Sequence, residues 1–206
     1  MIEKGRKDET YEYFVFGAAS PKIDLEYVDA CEKLGEVMAK RGHNLVFGGG
    51  ARGMMGAAAR GTKRGGGKVY GVIPHFFIEE DIEPLYENCD ELYITEDMAE
   101  RKDKMEELSD AFIVTPGGIG TFEELFQMMV LKQLDRHNKP IAIYNINGYY
   151  FGIEALMHTG AQEAFLREDT LKLYKTFDSE ELEEMLDYVE TDHATDELHV
   201  RDLKYM

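Results

Sequence analysis

Ala111-Phe112-Ile113-Val114-Thr115-Pro116-Gly117-Gly118-Ile119-Gly120-Thr121-Phe122-Glu123-Glu124 reads as strand, glycine turn and helix. The first four residues form a short apolar run of the kind that makes a buried parallel strand. Thr115 to Gly120 breaks it, and Thr121 opens an amphipathic helix to Gln133 with Phe122, Leu125, Phe126 and Met129 on one face. Glycines 117, 118 and 120 strip Cβ atoms from the turn, so main-chain N–H groups can close around a ligand. Those donors lie at the positive end of the helix dipole, where a phosphate fits. Glu123-Glu124 is an odd neighbour for an anion unless a carboxylate takes part in the chemistry. The same spacing fits a capping box, with Thr121 as N-cap and Glu124 reaching back, although a cap needs no glycine run upstream.

Working outward, apolar runs predict strands over Tyr11–Phe16, Leu45–Phe47, Val69–Ile73, Glu91–Thr95, Pro140–Tyr144 and Leu173–Thr176. Helical spacing predicts Asp24–Arg41, Gly53–Thr62, Asp97–Ser109, Tyr149–Ala164 and Ser179–Val189, with His75–Asn88 a loop carrying short helical turns. A charged tail is expected over Glu190–Met206. Strands alternating with helices give a single α/β domain over residues 1–206: a doubly wound, mostly parallel, Rossmann-like sheet. Ligands in such sheets sit beyond the carboxyl ends of the strands. The turns Gly17–Ser20, Gly48–Gly50 and Gly117–Gly120 should therefore line one crevice.

A chain of 206 residues that is 44% hydrophobic is large enough for a substantial core. Its formal net charge of −18 argues against a nucleic-acid polymer or a membrane surface as partner. A small phosphate ligand answers instead to the local field, and the basic residues are bunched: Arg52, Arg60, Lys63 and Arg64, then Arg101, Lys102 and Lys104. No stretch has the length and apolarity of a membrane helix, Met1–Thr10 lacks a signal-peptide core, and cytoplasm is the expected compartment. Cys31 and Cys89 make no disulfide framework, and the histidines have no ligand-like spacing, so no metal site is expected. Gly48, Gly50 and Gly53 match G-x-G-x-x-G, but they follow the second strand. The acidic residue expected about twenty positions on is missing as well, which argues against a nicotinamide cofactor. Arg101, early in the helix after the fourth strand, can reach the crevice to fork onto a phosphate or orient a carboxylate. The alternative is a surface pair with Asp97. Ser20 offers a further hydroxyl, and Met98 can pack against an aromatic base.

Together these residues carry a family likeness. Pro116-Gly117-Gly118-Ile119-Gly120-Thr121-Phe122-Glu123-Glu124 resembles the P-G-G-x-G-T-x-x-E pattern of the LOG ("lonely guy") family. Met98-Ala99-Glu100-Arg101-Lys102 resembles its M-H-x-R-K, with Ala99 where the family has histidine. Gly48 through Gly56, Gly71-Val72-Ile73-Pro74 and Asn147-Gly148-Tyr149-Tyr150 match in order and spacing, so the likeness runs from about Tyr13 to Val189. The resemblance implies hydrolysis of the N-glycosidic bond of purine riboside 5′-monophosphates (AMP or cytokinin type) by a homodimer without a cofactor. It implies that Arg101 and Glu124 are the catalytic pair. Substrate is expected at Ser20, Gly49, Gly50, Met98, Lys102, Gly117, Gly118, Ile119, Gly120, Thr121 and Glu123. It also implies a ribose-contacting acid, for which Glu80, Asp81 and Glu83 are all candidates. The rival from another class is a nucleotide-binding sensor or carrier without turnover. The family's older lysine-decarboxylase label fits poorly, since no lysine stands in the glycine turns to carry pyridoxal.

Overall fold

The computed structural model describes residues 9–191; residues 1–8 and 192–206, and with them nearly all of the expected tail, lie outside that range. Seven strands form one sheet: β1 (Glu12–Phe16), β2 (Asn44–Phe47), β3 (Val69–Pro74), β4 (Glu91–Thr95), β5 (Ala111–Val114), β6 (Ile141–Asn145) and β7 (Lys175–Asp178). Their order is β4-β3-β2-β1-β5-β6-β7, and every neighbouring pair is parallel. The chain winds outward from β1 to β4, then returns to the other flank of β1 with β5. The strand order therefore reverses between β1 and β5, and the crevice opens there, beyond Phe16 and Val114.

Among the described residues seven helices pack around the sheet: α1 (Leu25–Lys40), α2 (Gly53–Gly65), α3 (His75–Glu79), α4 (Met98–Leu108), α5 (Ile119–Gln133), α6 (Phe151–Gln162) and α7 (Leu182–Val189). The five inner strands are buried on both faces, which is why they are nearly continuously apolar rather than alternating, while the edge strands β4 and β7 are largely exposed. Tyr13 and Val15 of β1 point into the layer under α1, α2 and α7, with Leu34, Met38, Met54 and Leu186. Phe14 and Phe16 point into the opposite layer, with Met105, Leu125, Met128 and Met157 from α4, α5 and α6. Helix α2 lies close on α1 because its contact face is small: a Cβ on Gly61 would fall 1.9 Å from the Glu32 carbonyl oxygen. No helix among the described residues is long and apolar enough to cross a membrane.

Several expected boundaries move: α2 runs on to Gly65 rather than Thr62, and α6 spans Phe151–Gln162 rather than Tyr149–Ala164. Helix α5 starts at Ile119 with Gly118 as its N-cap, so Thr121 lies inside the first turn and the capping box does not form. The glycine turn itself curls into the helix start, and Thr121 packs back on Gly117 instead of ending the loop. The last strand begins at Lys175, two residues late, because the buried Leu173 and Tyr174 close a 3₁₀ turn over Glu168–Lys172 before pairing begins. Helix α7 begins at Leu182 rather than Ser179, and the Glu181 carboxylate accepts from the Asp178 N–H at 2.8 Å across that corner.

Candidate active site

Backbone bonds gather the three glycine-bearing turns at one end of the sheet. The Ala18 N–H donates to the Pro116 carbonyl at 3.1 Å, and the Met54 N–H to the Ala18 carbonyl at 2.8 Å. The turn before α5 is held from below by two tyrosines: the Tyr150 hydroxyl donates to the Thr115 carbonyl at 2.8 Å and the Tyr149 hydroxyl to the Gly117 carbonyl at 2.5 Å. Gly117 has no room for a side chain, since a Cβ there would lie 2.0 Å from Thr121 Oγ1. Gly118 and Gly120 differ, because a Cβ at either would meet nothing within 4 Å. Both glycines face open space at the positive end of a 15-residue helix whose first amides have no side-chain cap.

Arg101, in the first turn of α4, is 6% exposed. Its Nε donates to the Val72 carbonyl at 3.1 Å and its Nη2 to the Gly48 carbonyl at 3.0 Å. Nη1 lies 3.6 Å from Met98 Sδ, and the Phe77 ring stacks on the guanidinium at 5.3 Å. A guanidinium has five N–H donors, so this anchoring leaves some for a ligand. The approach requires glycine at 48, where a Cβ would come 2.1 Å from Nη2. The surface pair with Asp97 does not form: the Asp97 carboxylate caps α4 at the N–H groups of Ala99 and Glu100.

Glu124 is half-buried in the second turn of α5 and accepts no hydrogen bond among the described residues. Burial raises its pKa to about 7; the Arg101 charge opposes the rise, Glu123 adds to it and Lys102 opposes it. Burial also lowers Arg101 from its ordinary value, against the pull of Glu124 and Glu83. Of the three acids in the segment after β3, Glu80 and Asp81 are exposed. Glu83 lies against Gly50, with burial raising its pKa against the opposing charges of Arg101 and Arg52.

The remaining sequence candidates are spread around this centre. Lys102 and Glu123 are paired at 2.6 Å on the rim, and the Ser20 hydroxyl, exposed after β1, accepts from the Lys22 N–H at 3.2 Å. Gly49 and Gly50 are both buried, Gly50 against Glu83 and Gly49 against Ile73 and Leu92 at the positive φ of 80° that its turn needs. Met98 is 37% exposed beside Arg101, Ile119 is 81% exposed on the helix tip, and Thr121 is buried. The sequence reading missed the two tyrosine hydroxyls and Phe77. The Asn147-Gly148-Tyr149-Tyr150 match was the available signal for the tyrosines; nothing local marked Phe77.

A doubly wound parallel sheet with an uncapped helix start and a buried cation toward the carboxyl ends of its strands defines a Rossmann-like α/β protein. The family described as "Possible lysine decarboxylase" matches residues 55–189. A cytokinin riboside 5′-monophosphate phosphoribohydrolase from Rhodococcoides fascians is 38% identical over 156 residues, 76% of this chain and 78% of that one. An Arabidopsis thaliana protein of the same description is 37% identical over 152 residues, 74% of this chain and 70% of that one. A rice protein (Oryza sativa subsp. japonica), described as a "Probable cytokinin riboside 5′-monophosphate phosphoribohydrolase", is 43% identical over 141 residues, 68% of this chain and 62% of that one. The chain thus belongs to the LOG family. Its matches span about three-fifths of the length of the first rice relatives. Among solved structures, the molybdenum cofactor binding protein of Rippkaea orientalis superposes with a TM-score of 0.63 at 21% identity, over 89% of this chain and 99% of that one. The molybdenum cofactor carrier protein of Chlamydomonas reinhardtii gives 0.60 at 20% identity, over 82% and 89%. These two likenesses show the fold alone.

Proposed function

We propose that this protein hydrolyses the N-glycosidic bond of purine riboside 5′-monophosphates, releasing free base and ribose 5-phosphate. The observation that carries the reading is Glu124, an ionisable carboxylate poised near neutrality beside a buried, immobilised guanidinium and one helical turn from an open amide seat. The 5′-phosphate sits on the amides of Gly118 to Thr121, and binding there, away from the reacting carbon, orients the ribose. Breaking C1′–N9 builds positive charge on the sugar. Ionised Glu124 stabilises that charge and takes the proton of the water that adds to C1′. Arg101 holds the carboxylate's field and offers its remaining N–H groups to the phosphate.

The names of the relatives support the substrate class, and a homodimer acting without a cofactor, placed in the cytoplasm, completes the proposal. Sedimentation should then give twice the 23.5 kDa of one chain. The fold also serves molybdenum cofactor carriers, so a binder without turnover is the competing reading. Incubation with AMP and with isopentenyladenosine monophosphate, followed by chromatography, separates the two. Free base with ribose 5-phosphate is expected, and nucleotide recovered intact from both incubations overturns the proposal.

A further inference from the structure

Glu83 has a setting that no part of the proposed mechanism uses. Its Oε1 is buried and has no hydrogen-bond partner among the described residues. An unmade bond of this kind is costly in a folded protein and calls for an explanation. Its position is built, because the segment around it pairs with the second glycine turn like a short antiparallel ladder. The Ala51 N–H donates to the Pro84 carbonyl at 2.8 Å, the Tyr86 N–H donates to the Gly49 carbonyl at 2.9 Å, and Gly50 bridges Leu85. Gly50 leaves room for the carboxylate, since a Cβ there would lie 1.9 Å from Glu83 Oε1. The charges that face it are Arg101 and Arg52. Glu83 and Glu124 therefore flank one guanidinium, Glu124 near the start of α5 and Glu83 over the end of β2, two strands further along the crevice.

Taking the hydrolase reading as given, we infer that Glu83 is the general acid toward the leaving base. A nucleotide whose phosphate occupies the start of α5 and whose C1′ faces Glu124 runs its base toward the end of β2, where Glu83 waits. As C1′–N9 breaks, its electron pair passes into the purine, and the carboxyl proton of Glu83 moves to a ring nitrogen of the departing base. Water adds to C1′ and gives its proton to Glu124; solvent then reprotonates Glu83 and takes the proton from Glu124. The buried oxygen without a donor suits an acid that carries its proton until this step, and burial shifts Glu83 toward that form against the opposing charges of Arg101 and Arg52. The pair follows the logic of two carboxylates whose surroundings separate their roles.

The test compares AMP with 4-nitrophenyl ribofuranoside 5-phosphate, whose leaving group departs without protonation. Glu83→Gln should lower kcat on AMP by about 100-fold or more while changing the nitrophenyl reaction by less than about fivefold. Equal losses on both substrates would make Glu83 a sugar contact and overturn the inference, as would an unchanged rate on AMP. Turnover of AMP by the parent protein is measured alongside, so failure of the hydrolase reading is distinguishable from failure of this one. If the variant does not fold, the parent's pH profiles decide. A fall at alkaline pH seen with AMP but not with the nitrophenyl compound supports the acid, and parallel profiles sink it.

Discussion

Burial that raises Glu124 to about 7 makes the site chemically useful and the fold less stable. In the unfolded chain this carboxyl ionises near its ordinary 4.5, so between there and about 7 the folded protein binds more protons than the unfolded one. Stability contributed by this group therefore falls as pH rises through that window and stays lower above it. Glu124→Gln should denature at a higher temperature than the parent at about pH 8, with the gap closing by about pH 4. The same variant should lose at least about a hundredfold in turnover. A melting temperature lowered at the alkaline pH would show that favourable contacts, not desolvation, govern the carboxylate. For Arg101 the sharpest probe is its neighbour. Gly48→Ala puts a methyl 2.1 Å from Nη2, at the end of a side chain that can swing away. Circular dichroism should stay native while AMP hydrolysis drops about as far as in Arg101→Lys, roughly tenfold to a hundredfold by the cost of small misplacements.

The turn and helix from Val114 to Gln133 act as a unit, and its glycines divide into two kinds. At Gly117 an added methyl meets Thr121 Oγ1 at 2.0 Å and Thr121 Cβ at 2.5 Å, atoms fixed inside the first turn of α5. Gly117→Ala should therefore lower the melting temperature and raise KM together. Gly118→Ala meets no protein atom, so its melting temperature should match the parent while KM for AMP rises at least about tenfold, because the methyl occupies the anion's approach. A Gly118→Ala protein with normal KM would move the phosphate elsewhere. This contrast also marks how far the sequence could be read. Pro116 to Gly120 announces a break after an apolar strand, so the element and the place of its turn on the crevice were legible. Where the helix begins was not, because Thr121 and Glu124 have the spacing of a capping box whether or not the chain is already helical at Ile119. Arg101 was legible as close to the crevice from its distance beyond β4, but its bonds to the Val72 and Gly48 carbonyls depend on strands far off in the chain. Glu83 was one of three equal candidates for the same reason. Only the pairing of Leu85 with Gly50, 35 positions apart, singles it out.

At the scale of the whole molecule, the charge of −18 repels the nucleotide that the proposed function brings to the crevice. The two effects act over different distances. In the proposed complex Arg101 meets the phosphate within the crevice, whereas most of the 41 acidic residues are spread over a surface tens of ångströms across. Screening separates them. The Debye length falls from about 30 Å near 0.01 M salt to about 10 Å near 0.1 M, which removes the distant repulsion before it weakens the near attraction. For AMP, kcat/KM should therefore rise over that interval and fall only toward about 1 M, where screening reaches about 3 Å and the guanidinium is shielded too. A monotonic fall from the lowest salt would mean that the local cations outweigh the acidic surface at every distance. The same argument predicts that a polymer with many phosphates binds weakly. Phosphates beyond the first would face the predominantly acidic surface, which repels them.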